Sequence, residues 1–206
     1  MKKQTIDVLK NFASINQGLL FQPGNVIRTM SVQENIFARA TVPDSFEKEF
    51  AIYDVNELLS ALSLFDAPKL EYKNDHILIS SGKNHVKYFY SHKNVIFAPT
   101  GNPDAPKRGL SFHLSKENLE EILKAAAIMK LKELKITEKG ILAYNKNSVG
   151  NQYEAGIEDA EGDGEIDMKV DLFKVIIDDY DVVANDTLVY MKSKSGLEYM
   201  IARTAE

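Results

Sequence analysis

A chain of 206 residues is long enough for one large domain or two modest ones, each with its own core. It contains no cysteine, which excludes disulfides, thiolate metal sites and cysteine nucleophiles and makes a reducing, cytosolic setting the plain reading. A formal net charge of −5 argues against coating nucleic acid with the whole surface, but leaves room for positive charge gathered on one face.

The first periodic stretch predicts a helix over 3–14, with Ile6, Leu9, Phe12 and Ala13 on one side and Lys3, Asp7, Lys10 and Ser14 on the other. Strands are expected at 18–22, 25–31, 35–42 and 48–53. A second helix follows over 55–64, with Asp54 as N-cap and Glu57 in capping-box position. Strands at 69–73 and 76–81 meet across Asn74-Asp75, and 85–91 and 95–97 add two more. The stretch 98–109 holds three prolines and two glycines without periodicity, the signature of a connector. The boundaries are therefore 1–97, 98–109 and 110–206.

The second half restarts with a strand at 110–114, and Ser115 caps a helix over 116–129 whose apolar stripe is Leu119, Ile122, Leu123, Ala126 and Met129. Strands follow at 131–137, 140–146 and 152–158, then an acidic loop at 159–164, a strand at 165–169 and a short helix at 170–177. Two final strands, 187–193 and 196–203, pair across Lys194-Ser195. The order repeats. Val8-Leu9-Lys10 answers Ile122-Leu123-Lys124, and Leu58 to Leu62 answers Leu172 to Ile176, both 114 positions on. Four helices, two per half, with many short antiparallel strands make the fold α+β and duplicated.

Catalytic signatures are missing: no Walker loop, no G-x-S-x-G, no H-E-x-x-H and no G-x-G-x-x-G. His76, His85, His92 and His113 fall on predicted strands without ligand spacing. Asp159, Glu161, Asp163 and Gly164 imitate the start of a calcium loop, but position twelve is Val170 and no helix leads in, so a solvated acidic turn is expected. No catalytic residue, metal or cofactor is assigned. No apolar run approaches the roughly 20 residues that span a bilayer, and the Met-Lys-Lys start lacks the apolar stretch of a secretory signal.

Leu9-Lys10-Asn11-Phe12-Ala13-Ser14-Ile15-Asn16 with Gly18, and Ala51-Ile52-Tyr53-Asp54-Val55-Asn56 with Leu58-Leu59 and Leu62-Ser63-Leu64, closely resemble the sliding clamps of T4-like bacteriophages. Glu117, Leu119, Ile122-Leu123-Lys124, Ile136-Thr137 and Tyr144-Asn145-Lys146 extend the resemblance into the second half. It implies a DNA-clamp fold with sheets outside and two helices per domain inside, closed as a homotrimeric ring around duplex DNA. It implies tethering of the DNA polymerase through the polymerase's C-terminal peptide, loading by an ATP-driven clamp loader, support of late transcription with its factors, and residence in the cytoplasm of the infected host. No chemistry is expected.

Inner-surface lysines then meet phosphates without reading bases. The candidates are Lys3, Lys10, Lys116, Lys124, Lys130 and Lys174, with Glu120 and Glu121 competing for Lys124 as intrahelical partners. The resemblance places the partner-peptide pocket at Met30, Phe37, Phe97, Leu110, Met200 and Ala202. Subunits are expected to join by antiparallel pairing of edge strands, with Val86, Tyr88, Phe89 and Tyr90 facing Tyr153, Ala155 and Ile157. The alternatives are a non-catalytic phage protein that binds only proteins as an assembly factor, and a small enzyme with an unrecognised site.

Overall fold

The computed structural model describes residues 1–147 and 149–203, which fall into two compact units. One unit comprises Met1–Val32 and Ala38–Thr100, the other Gln33–Phe37 and Gly101–Glu206. No helix among the described residues is long and apolar enough to cross a membrane.

The first unit opens with α1 (Lys3–Ile15), whose buried face is Thr5, Val8, Leu9, Phe12 and Ile15. This stripe is rotated from the expected one, because Ile6 and Ala13 are only half-buried while Val8 and Ile15 are in the core. Each large apolar side chain buried on such a face is worth about 1.5–3 kcal/mol relative to exposure. The chain continues through β1 (Leu19–Phe21), β2 (Gly24–Met30), β3 (Ile36–Phe46) and β4 (Phe50–Ile52), with β1 paired to β4 and β2 to β3. Helix α2 (Val55–Ser63) packs on α1 and is capped by Asp54, whose side chain accepts from the Asn56 and Glu57 amides at 2.8 and 3.3 Å. A meander of β5 (Lys69–Tyr72), β6 (His76–Ser81) and β7 (Asn84–Phe89) closes the unit, turning at Asn74-Asp75 as expected.

Its core includes an aromatic cluster. Phe21 stacks on Phe50 at 4.5 Å, Phe46 meets both edge-on, and Tyr72 and Tyr90 flank Phe50 at 5.5 and 4.9 Å. Burial pushes the Tyr72 and Tyr90 hydroxyls up to about 12. The expected strand at 95–97 is instead a 3-10 turn over Lys93–Val95, because the His92 imidazole accepts from the Asn94 amide and bends the chain.

The second unit runs β8 (Leu110–Leu114), α3 (Lys116–Met129), β9 (Glu133–Thr137), β10 (Gly140–Tyr144), β11 (Tyr153–Ala155), β12 (Glu158–Glu161), β13 (Ile166–Lys169), β14 (Tyr180–Ala184), β15 (Leu188–Lys192) and β16 (Leu197–Ala202). One sheet has the order β11-β10-β9-β13, and β12-β8-β14-β15-β16 lie side by side in another. Ser115 caps α3 through the Asn118 amide at 3.2 Å. The helix ends on Lys130 in the left-handed conformation, with φ 55°, its amide and that of Leu131 closing the last turn.

Three expectations fail here. The loop expected at 159–164 is in part a strand: residues 159–161 belong to β12, which pairs with β8 across a register shift. The helix expected at 170–177 is a single 3-10 turn over Val170–Leu172, so the described residues hold three α-helices and not four. Phe173 and Val175 are buried between more exposed neighbours, a period of two, and the β-branched run Val175-Ile176-Ile177 favours extended chain. Two buried tyrosines then pin the segment: the Tyr180 hydroxyl donates to the Ile176 carbonyl at 2.6 Å, and the Tyr199 hydroxyl accepts from the Ile176 amide at 3.2 Å. The third is an omission, because Tyr180–Ala184 was assigned no element and forms β14 between β8 and β15.

Candidate nucleic-acid interface

All six candidate lysines are exposed. Their surroundings separate them. On α1, Lys3 is paired with Asp7 one turn on at 2.6 Å, whereas Lys10, two turns from Lys3, has no carboxylate partner among the described residues. Helix α2 carries no lysine or arginine at all. On α3, Lys116, Glu120 and Lys124 lie on one line, each four residues apart. The competitor Glu121 is engaged elsewhere, since its carboxylate accepts from the Tyr153 hydroxyl at 2.9 Å. Glu120 stays one turn before Lys124, but no salt bridge joins the two among the described residues. Lys130 stands at the helix C-cap. Lys174 follows the 3-10 turn and lies on no helix, its amide donating to the Leu172 carbonyl at 2.8 Å.

The pocket residues divide between the two units. In the first, Asn16 fastens the chain just past α1: its side-chain amide donates to the Met30 carbonyl at 3.0 Å and the Phe97 carbonyl at 2.9 Å. This holds Met30, half-buried, near Phe97, which is 39% exposed. In the second, Leu110 is fully buried, Phe37 and Met200 are nearly so, and Ala202 is half-buried with its amide donating to the Asn35 carbonyl at 2.8 Å. Leu110 thus offers core and no contact surface. The role of Asn16 was not read from the sequence, although an asparagine directly after a helix, two residues before a glycine, was the available signal.

Both proposed seam strands are edges of their sheets. Among the described residues β7 has β6 as its one sheet neighbour in the first unit, and β11 has β10 in the second. The Tyr90 amide donates to the Asp75 carbonyl at 2.9 Å, so Tyr90 turns its backbone inward and the adjacent Phe89 turns its own outward. Phe89 is 61% exposed and packs beside His76. The Ala155 carbonyl presses on Gly140, where an added Cβ would come within 2.5 Å, so Ala155 faces β10 and Glu154 faces the open edge. Each edge is tied to a helix by a tyrosine: Tyr88 donates to Glu57 of α2 at 2.9 Å, and Tyr153 to Glu121 of α3. Glu57 therefore serves β7, not the reciprocal half of a capping box. Burial and the Glu57 carboxylate raise the Tyr88 hydroxyl above its ordinary pKa, and the Glu121 hydrogen bond with burial raises that of Tyr153. Val86 and Ile157 are half-buried.

One polar cluster resembles a nucleophile site. Asp178 accepts from Ser193 at 2.5 Å and Ser195 at 2.6 Å in a cavity of about 270 Å³, and His113 shares that cavity. His113 contacts Asp181 at 3.2 Å and not a serine, so the serines meet only the weakly basic Asp178 carboxylate and no imidazole.

Comparison with known proteins gives these surfaces their context. Residues 2–94 match the family described as DNA polymerase processivity factor. The sliding clamp of Vibrio phage KVP40 is 30% identical over the whole chain and 99% of its own length. The chain belongs to the sliding-clamp family. The sliding clamp of Escherichia phage RB69 is 28% identical over 100% of this chain and 97% of its own. The clamp fold extends further: a PCNA complex from Sulfolobus tokodaii superposes with TM-score 0.74 over 98% of this chain and 96% of its own, at 13% identity. The DNA polymerase III beta subunit of Pseudomonas aeruginosa gives 0.64, covering 98% of this chain and 65% of its own at 13% identity. Sliding clamps act as polymerase processivity factors, and the exposed lysines of α1 and α3 and the open edges of β7 and β11 are the features of this member to which that role directs attention.

Proposed function

We propose that this sliding clamp closes head-to-tail into a homotrimeric ring around duplex DNA and tethers the phage polymerase through a C-terminal peptide. An ATP-dependent loader opens the ring, late transcription factors use the same clamp, and the work is done in the cytoplasm of the infected bacterium. The clamp binds and slides; it catalyses nothing. Met30 and Phe97, with Phe37, Met200 and Ala202, are the residues assigned to the polymerase peptide. Lys10 and Lys124 are assigned the main phosphate contacts, with Lys116, Lys130 and Lys174 secondary and Lys3 weakened by Asp7.

The observation that carries this reading is the pair of exposed lysines without an ion-pair partner among the described residues on helices of the two halves, Lys10 on α1 and Lys124 on α3, the latter one turn after Glu120. They meet the demand of a sleeve: charge for phosphates and no group that reads bases. Lys10→Glu and Lys124→Glu should each shorten the lifetime of the clamp on circular duplex DNA about tenfold at low salt, with the loss shrinking as salt screens the attraction. Trimer mass should not change, and the effect should not depend on DNA sequence. Lys3→Glu should matter less. Normal retention of the double reversal at low salt would exclude these helices from the DNA path.

A further inference from the structure

Charge is unevenly divided along the chain. The first unit holds 11 lysines and arginines against 9 acids and the second 14 against 21, so one is weakly basic and the other strongly acidic. The division is sharpest at the two open edges. No aspartate or glutamate lies between Asp75 and Asp104, the stretch that contains β7, and no lysine or arginine between Lys146 and Lys169, the stretch that contains β11. Lys87 of β7 and Glu154 of β11 are exposed, and neither has an ion pair among the described residues. Asp75, held below its ordinary pKa first by the His76 hydrogen bond, feels the Lys87 charge only weakly. Val86 and Tyr88 stand opposite the buried Ile79 and Ile77 and share their inner face, as Ala155 and Tyr153 do with the buried Ile141 and Ala143. Strand alternation therefore puts the Lys87 and Glu154 side chains on the outer face, and turns the Lys87 backbone outward as it does that of Phe89. Glu57 and Glu121 keep their charges on the inner face beside Tyr88 and Tyr153, so the opposition of charge is confined to the outer row.

We propose that Lys87 of one copy and Glu154 of the next form an ion pair that sets the register of the seam, with Val86 opposite Ala155 and Tyr88 opposite Tyr153. The proposal rests on the head-to-tail reading and states which residues meet within it. Three antiparallel registers keep outward backbones opposed and inner faces continuous, with Glu154 opposite His85, Lys87 or Phe89. Opposite His85, it sets Tyr88 against Asn151 and Asn84 against Ala155, polar groups on the inner rows. Opposite Phe89, the ladder needs Ser91 and Gly156. The Ser91 amide is already given to the Ala51 carbonyl at 2.9 Å, and the Gly156 carbonyl accepts from the Asn118 side chain at 3.0 Å. The register on Lys87 runs Lys87 and Phe89 against Glu154 and Gln152, stops short of both obstacles and joins opposite charges.

The chain has no cysteine, so introduced pairs report the register directly. Lys87→Cys with Glu154→Cys in one chain, oxidised by copper phenanthroline in air, should give disulfide-linked dimers and trimers on a denaturing gel. The Cα atoms of a hydrogen-bonded pair lie about 5.5 Å apart, within reach of a disulfide. His85→Cys or Phe89→Cys with Glu154→Cys should give only a minor crosslinked fraction. Charge reversal tests the ion pair. Lys87→Glu or Glu154→Lys should raise the concentration at which trimers dissociate about tenfold at low salt, because each ring repeats the change at every seam. The double reversal should restore it to within about threefold, and salt should shrink the differences. Light scattering reads the mass, and circular dichroism shows that each variant is folded. Crosslinking through His85 or Phe89 in place of Lys87, or reversals without effect or without rescue, would overturn the pair and leave the seam standing. Trimers that none of the cysteine pairs crosslinks, or a chain that stays monomeric, would remove the seam and the pair with it.

Discussion

Asp178 shows how single residues hold the second unit's β15–β16 turn in place. Burial alone would raise its pKa, but hydrogen bonds from Ser193 and Ser195, then the Asp179 amide and the Lys116 charge, hold it below the ordinary 3.8. A carboxylate with a depressed folded-state pKa adds stability above its unfolded pKa and loses it as the pH falls through the folded value. The contribution is therefore complete above about pH 5 and is lost as the pH falls below 3.8 through the depressed folded value. Ser193→Ala with Ser195→Ala should cost about 1–2 kcal/mol at neutral pH and narrow the difference between neutral and acid stability, read by thermal melts from pH 7 to 3. None of this cluster was visible in the sequence, because Asp178 and Ser193 meet only through the fold. Lys10 was legible, standing opposite an apolar stripe on a helix whose period is plain. Lys124 was half-legible: its helix could be read, but the removal of Glu121 by Tyr153 depends on an approach across 32 residues of chain.

Among the elements, those with a strong local signal were legible. The three α-helices carry their periods in the sequence, and α2 and α3 their N-caps; Asp54→Ala should cost about 1 kcal/mol, measured by chemical denaturation. Elements set by the fold were not legible. The acidic stretch Glu158–Glu161 has little strand propensity and is a strand because β8 offers it a ladder. The expected fourth helix rested on alignment with α2, and the β-branched residues overrode it. Tyr180–Ala184 alternates buried and exposed as a strand should, so β14 could have been read. The edge strands lead to a direct test of assembly. Phe89→Pro and Glu154→Pro place proline where the backbone faces outward, leaving the internal pairings of β7 and β11 intact. Each should convert trimers to folded monomers, measured by light scattering with circular dichroism unchanged. Trimers surviving both substitutions would refute the seam. Ala155→Pro is the poorer test, because Ala155 faces β10 and its substitution damages the unit itself.

For the whole molecule, the assembly proposal predicts a solution mass three times that of the 23.1 kDa chain, falling towards that of one chain on dilution. The match of α1 with α3 was readable as spacing, whereas the match of α2 with residues 172–176 was not a second helix pair, and family membership followed from strings in α1 and around α2. The open space beside α3 was not readable, because it arises where the sequence pattern predicts a helix at 170–177 and the chain forms only a 3-10 turn. The two edges have a further consequence. They are different surfaces on one chain, so each subunit that joins leaves one of each kind unpaired until the circle closes. Closure depends on the angle between successive subunits, and an angle off by a few degrees yields an open filament from the same contacts. The brevity of β11, three residues, limits how long any such polymer survives, since each joint holds few ladder bonds. Under the proposed seam, ring formation is thus a competition between cyclisation and polymerisation, and raising the protein concentration should favour the latter.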